Sequence, residues 1–118
     1  MEFPDTNNVY GYFSSHANLE KLAAILRRKL FFDEDEVTVK KSSFDGHQTI
    51  RIKSQMAEFE STKFDNEETY SLNGVVAGSE KEIFDFVLKL FTVLKQHGYN
   101  PVFEIYDEWF NCIKEFTA

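Results

Sequence analysis

SEKEIFDFVLKLFTVLKQHGYNP, residues 79–101, decides how the rest of the chain is read. Ser79 and Glu82 have the S-x-x-E spacing of a capping box. In that motif the hydroxyl and the carboxylate each satisfy a backbone N–H left free in the first helical turn. The spacing predicts a helix from Glu80 to His97. Gly98 suits the left-handed residue that closes a helix, and Asn100-Pro101 forbids its continuation. Between Ile83 and Leu94 only Asp85, Lys89 and Thr92 are polar; with Gln96 they recur at i, i+4, i+7 and i+11 as one thin stripe. At about 100° per residue the apolar side chains cover roughly 220° of the circumference. A helix lying on one sheet needs less. Another part of the chain, or another molecule, must cover a flank.

Upstream of this helix, Thr69 to Ala77 reads as a strand carrying Tyr70, Leu72, Val75 and Val76, with Gly74 a candidate bulge. Asp65-Asn66-Glu67-Glu68 is a turn before it. Glu36–Lys41 and Thr49–Lys53 alternate on either side of Asp45-Gly46, a hairpin-turn dipeptide. The second of these strands is expected to run on through Met56 towards Phe59. Asp33–Glu36 is an acidic turn. Leu19, Leu22, Ala23, Leu26 and Leu30 form a one-sided helical stripe behind Ser15 as N-cap. Arg27, Arg28 and Lys29 occupy its last turns, where they complement the helix dipole. Asn8–Ser14 reads as the first strand, after a lead-in of residues 1–7.

Downstream, Val102–Tyr106 reads as a strand. Asp107 is expected to cap a final short helix on which Trp109, Ile113 and Phe116 align at i, i+4 and i+7. The order β-α-β-β-(β)-α-β-α has no repeat and no linker. It implies one α+β domain over residues 1–118, a ferredoxin-like (split β-α-β) two-layer sandwich. A mainly antiparallel sheet would carry both long helices on one face, with the short C-terminal helix added. An α/β sheet with helices on both faces would need more parallel crossovers than the pattern supplies.

The 118 residues include 13 Phe, so the core should be built from large rings with specific shapes. The net charge of −7 is uneven: residues 1–59 hold 8 Lys/Arg and 9 Asp/Glu, whereas residues 60–118 hold 5 and 11. Phosphates would be repelled by the acidic half, which disfavours nucleic acid and anionic membrane as partners. A basic protein would be attracted. Cys112 is the single cysteine. It excludes an internal disulfide and suits a reducing compartment. The N-terminus is polar and acidic rather than signal-like, and no apolar run reaches membrane-spanning length. The expected location is the cytoplasm.

No motif carries chemistry. His16, His47, His97 and Cys112 lack metal-ligand spacing. The acidic clusters at 33–36, 65–68 and 107–108 lack the twelve-residue ligand pattern of an EF-hand. Cys112, among acids and apolar residues, is expected to be a buried structural thiol. No Gly-rich phosphate loop is present, and Glu80 and Glu82 oppose an anion at the helix start. Lys40, Lys41, Arg51 and Lys53 read as the solvated face of a hairpin. Neither a cofactor nor a metal is expected, and the chain is read as a non-enzyme.

The most suggestive stretch is 99–116, where rings alternate with acids. The leading expectation is an acidic protein-binding module of the inhibitor or immunity type, neutralising a basic toxin or nuclease. Its binding residues would be Asp65, Glu67, Glu68, Glu104, Tyr106, Asp107, Glu108 and Trp109. Rings fill a partner's pockets and carboxylates steer the encounter. The competing expectation is a homo-oligomeric structural or small-ligand-sensing domain, with a homodimer covering the broad apolar helix.

Overall fold

The second helix forms where the capping signals put it. In the computed structural model, which describes residues 3–15, 19–64 and 68–117, it runs Glu80–Gln96. Both halves of the capping box are made: Ser79 Oγ accepts from Glu82 N at 3.2 Å, and Glu82 Oε1 accepts from Ser79 N at 3.0 Å. At the other end Tyr99 N donates to the Leu94 carbonyl and Gly98 N to that of Lys95, with Gly98 at φ 82°. That pair is the Schellman closure.

The elements in chain order are β1 (Val9–Ser14), α1 (Leu19–Leu30), β2 (Val37–Lys41), β3 (Gln48–Lys53), β4 (Ala57–Lys63), β5 (Thr69–Val76), α2 (Glu80–Gln96), β6 (Val102–Tyr106) and β7 (Cys112–Thr117). The strands form one antiparallel sheet in the order β2-β3-β4-β5-β1-β6-β7. The two helices pack on one face, α1 over β2 and β3 and α2 over β6 and β7, touching each other between. No described helix is long and apolar enough to cross a membrane.

The architecture is therefore an α+β two-layer fold, but the strand order is not that of a ferredoxin-like sandwich. The α2 crossover does link β5 to β6 with β1 between them, a split β-α-β unit. A four-stranded meander, β2 to β5, stands where that fold has one hairpin. The expected single strand 49–59 is two strands, β3 and β4, reversed at Ser54-Gln55-Met56, where Ser54 N donates to the Ala57 carbonyl at 2.8 Å. No Gly, Pro or Asn announces that turn. The Asp45-Gly46 turn forms as read, with Gly46 at φ 74°. Ser15 as an N-cap faces residues 16–18, which lie outside the described residues.

The expected C-terminal helix is a strand. β7 pairs with β6 from Val102↔Thr117 to Tyr106↔Cys112, with a bulge near Ile113. Two physical reasons decide this. Phe110 sits at φ 62°, which no α-helix tolerates, and Cys-Ile-x-x-Phe-Thr suits a pleated edge as well as a helical stripe. Cys112 is correspondingly exposed, not buried. It stands opposite Tyr106 on the edge strand, outside the layer between sheet and helices.

The core lies between sheet and helices. Phe13, Phe59, Leu72, Phe103 and Ile105 point into it from alternate strand positions, against Leu22 and Leu26 of α1 and Leu90 and Leu94 of α2. Phe13 stacks on Tyr70 at 5.1 Å and meets Tyr99 edge-on at 6.2 Å. The breadth of the apolar arc on α2 is largely explained within the chain. On one flank Phe86 meets Phe32 and Phe59; on the other Phe91 packs on Phe116 of β7 at 5.7 Å. Leu88 alone of its central residues stays open, at 46% exposure.

Gly74 is not a bulge. It pairs in register with both Val9 of β1 and Phe59 of β4. Its hydrogen makes room for the β4 backbone: a Cβ there would lie 2.0 Å from the Glu58 carbonyl oxygen.

Candidate protein-binding surface

The turn between β6 and β7 is a three-residue hairpin loop, Glu108-Trp109-Phe110, organised by one side chain. Asp107 Oδ1 accepts from Trp109 N and from Asn111 N, each at 2.9 Å, and Asp107 Oδ2 accepts from Asn111 Nδ2 at 3.4 Å. Asp107 N donates to the Asn111 carbonyl and Phe110 N to that of Asp107. The bond from an aspartate to the N–H two residues on serves a helix N-cap and an Asx turn alike. The residue type at Asp107 thus predicts the bond correctly and the next element wrongly: a strand, not a helix, comes after it.

These bonds, led by that from the Asn111 backbone, hold the Asp107 carboxyl below its ordinary range. A lowered folded pKa means stabilisation that is complete above the unfolded value, about 3.9 for Asp, and lost as pH falls through the lower, folded value. Trp109 emission should therefore be constant down to about pH 4 and change only below it. A tip already disordered at pH 5 to 6 would contradict this.

So short a loop turns two neighbouring rings outward. Trp109 is 76% exposed and Phe110 63%, with Ile113 of β7 behind them at 39%. Phe110 adopts the left-handed conformation of the last position in such loops, where Gly or Asn is unstrained. For a bulky side chain this backbone costs about 1 kcal/mol or more. The ring is held in water at the expense of stability.

The carboxylates of this end divide between two faces. Asp107 and Glu108 directly precede the rings. Glu104 stands on the open face of the sheet directly opposite Glu115 of β7, a like-charge pairing that disfavours the isolated chain. Tyr106, also on that face, meets Tyr10 edge-on at 5.4 Å. Burial, then the Glu104 charge, raises the Tyr106 hydroxyl above its usual range.

Of the eight residues read from sequence, the structure brings together Glu104, Tyr106, Asp107, Glu108 and Trp109. It separates Glu68 from them. Ser15 N donates to the Glu68 carbonyl, whereas Tyr106 N donates to that of Asn8, so the two groups sit at opposite ends of β1. Asp65 and Glu67 lie outside the described residues. The basic hairpin is matched in part within the sheet: Arg51 binds Glu60 at 2.8 Å and Lys53 pairs in register with Glu58, whereas Lys40 and Lys41 stand opposite Thr49 and Gln48.

Of the exposed rings away from the hairpin, Phe31 was not singled out in the sequence. Phe44 crowns the β2–β3 turn, and Phe31, 90% exposed, ends α1 at φ 59°. Phe31 lines a cleft of about 480 Å³ with Phe32, Met56 and Phe86, but Lys89 and Glu36 both enter it, so its charge is mixed. Nothing in a Phe-Phe pair distinguishes the exposed ring from the packed one before the helix end is placed. No family model, curated protein or solved structure matches the chain.

Proposed function

We propose that this chain is a non-enzymatic, acidic protein-binding module of the cytoplasm, of the inhibitor or immunity type, whose β6–β7 hairpin caps the basic cleft of a toxin or nuclease. The observation that carries the reading is the tip itself: the consecutive rings Trp109 and Phe110 exposed on a pre-formed turn, one of them at a conformational cost, directly after Asp107 and Glu108. Tryptophan is enriched among residues that dominate binding energy. A turn already fixed by Asp107 spares the ordering cost of association. Glu104 and Glu115, opposite each other in register, add like charges that a basic partner offsets.

The apolar surplus of α2 supports this less than the sequence suggested, because α1 and β7 cover most of it. The hairpin tip takes over that argument. One observation favours a second reading. β7 is an edge strand with an unpaired backbone row and a single Lys to guard it, so two copies could pair edge to edge. Light scattering that finds a monomer at working concentration removes that reading.

The test of the leading reading is affinity capture of basic proteins from the native host, followed by activity assays on what is captured. Glu104→Lys with Glu108→Lys should weaken capture by about tenfold or more at low salt, mainly through slower association. Asp107 is left intact so that the turn survives. A partner held equally well by the double variant, or captured without loss of its activity, rejects the reading.

A further inference from the structure

Beside the hairpin lies a cleft of about 750 Å³, closed by the N-terminal lead-in, the first turns of α2 and the ends of β6 and β7. Its apolar lining includes Ile83, Phe84, Ile105 and Ile113; its carboxylates are Asp5, Glu80, Asp107 and Glu108. No Lys, Arg or His is among its described lining residues. The start of α2 brings a partial positive charge of about one half, which Glu80 and Glu82 in that first turn more than offset. Phe84 of this lining lies one helical turn before the exposed Leu88 on α2.

A cleft with apolar side chains in its lining, neutral polar Thr6, Asn7, Asn8 and Tyr106, and carboxylates as its only charged groups among the described residues matches one kind of side chain: a long aliphatic stem that ends in a cation. We infer that this cleft receives an arginine or lysine side chain of the protein partner. The stem lies against Ile83, Phe84 and Ile113 and the cation faces Asp107 and Glu108, while Trp109 and Phe110 cover the surface around the insertion point. The inference rests on the binding reading above and deepens it, since it makes the partner's key residue basic and places it next to the hairpin rather than on the open sheet face. The cavity is larger than one side chain, so the residue brings its chain neighbours or water with it.

The test monitors isoleucine methyl resonances of the labelled full-length chain during titration with a capped Gly-Arg-Gly peptide. The same peptide with citrulline, the uncharged near-isostere, is the control. The expected result is a millimolar, salt-sensitive response at Ile83 and Ile113 that is at least about tenfold weaker for citrulline. Glu80→Gln with Glu108→Gln should weaken the arginine peptide a further several-fold, about three to ten times. Equal responses to both peptides, or shifts confined to other methyls, overturn the inference. So does a concentration-dependent shift of Ile83 and Ile113 without peptide, which would make a second copy of the chain the occupant. If the cleft is silent while capture of a basic partner still depends on Trp109, only the cleft assignment falls. If capture is indifferent to Trp109, the hairpin reading falls with it.

Discussion

Gly74→Ala is expected to lower the free energy of unfolding by about 3 kcal/mol or more, the upper range for overpacked sites. The added Cβ would meet the Glu58 carbonyl oxygen at 2.0 Å, the Phe59 Cα at 2.8 Å and the Phe59 ring at 2.8 Å. Two of these obstacles are backbone, so no rotamer change relieves them. β4 must move away from β5, and that pair carries the longest ladder in the sheet, from Ala57↔Val76 to Lys63↔Tyr70. Phe59 also holds Phe86 of α2, so the shift propagates into the helix layer. Urea unfolding, with the midpoint falling at constant slope, measures the effect. A loss below about 0.5 kcal/mol would show that Gly74 is no steric requirement.

Trp109→Ala should do the opposite. Its side chain is mostly in water and its backbone N–H, which bonds Asp107, is kept, so stability should change by less than about 0.5 kcal/mol. Affinity for the basic partner should fall by about thirty-fold or more, the 2 kcal/mol that marks a dominant interface residue. The loss should appear chiefly as faster dissociation, whereas the charge variants slow association. Surface plasmon resonance on the captured partner separates the two. A Trp109→Ala protein with unchanged dissociation would place the interface elsewhere on the molecule.

The two signals at residues 107–117 show where reading the chain succeeded and where it failed. Asp107 was legible as a local organiser because its bond spans only two residues. Whether that bond begins a helix or turns a hairpin depends on Phe110, whose left-handed backbone no residue preference would assign to a phenylalanine. The i, i+4, i+7 pattern of Trp109, Ile113 and Phe116 then imitated an amphipathic helix. In the strand, Phe116 packs inward on Phe91 while Trp109 stands in the turn, so the three never share a face. The reversal at Ser54-Gln55-Met56 was hidden for a related reason: the turn uses ordinary residues, and its one trace in the chain is a change of parity in the inward positions, from Ile50 and Ile52 to Ala57 and Phe59.

Local chemistry written in the chain determined α2 with both of its caps, the Asp45-Gly46 turn, the stripe of α1, the two-layer α+β class and the concentration of negative charge in the second half. Each of these rests on contacts a few residues apart or on composition, and none needs the rest of the fold. Tertiary structure alone decided that β7 joins the sheet edge and covers a flank of α2, that Gly74 yields space to β4, and that Glu68 stands far from Glu104 to Trp109. Those outcomes depend on which strand lies beside which, a choice settled by the joint burial of Phe59, Phe91, Phe103 and Phe116, and no single segment carries it.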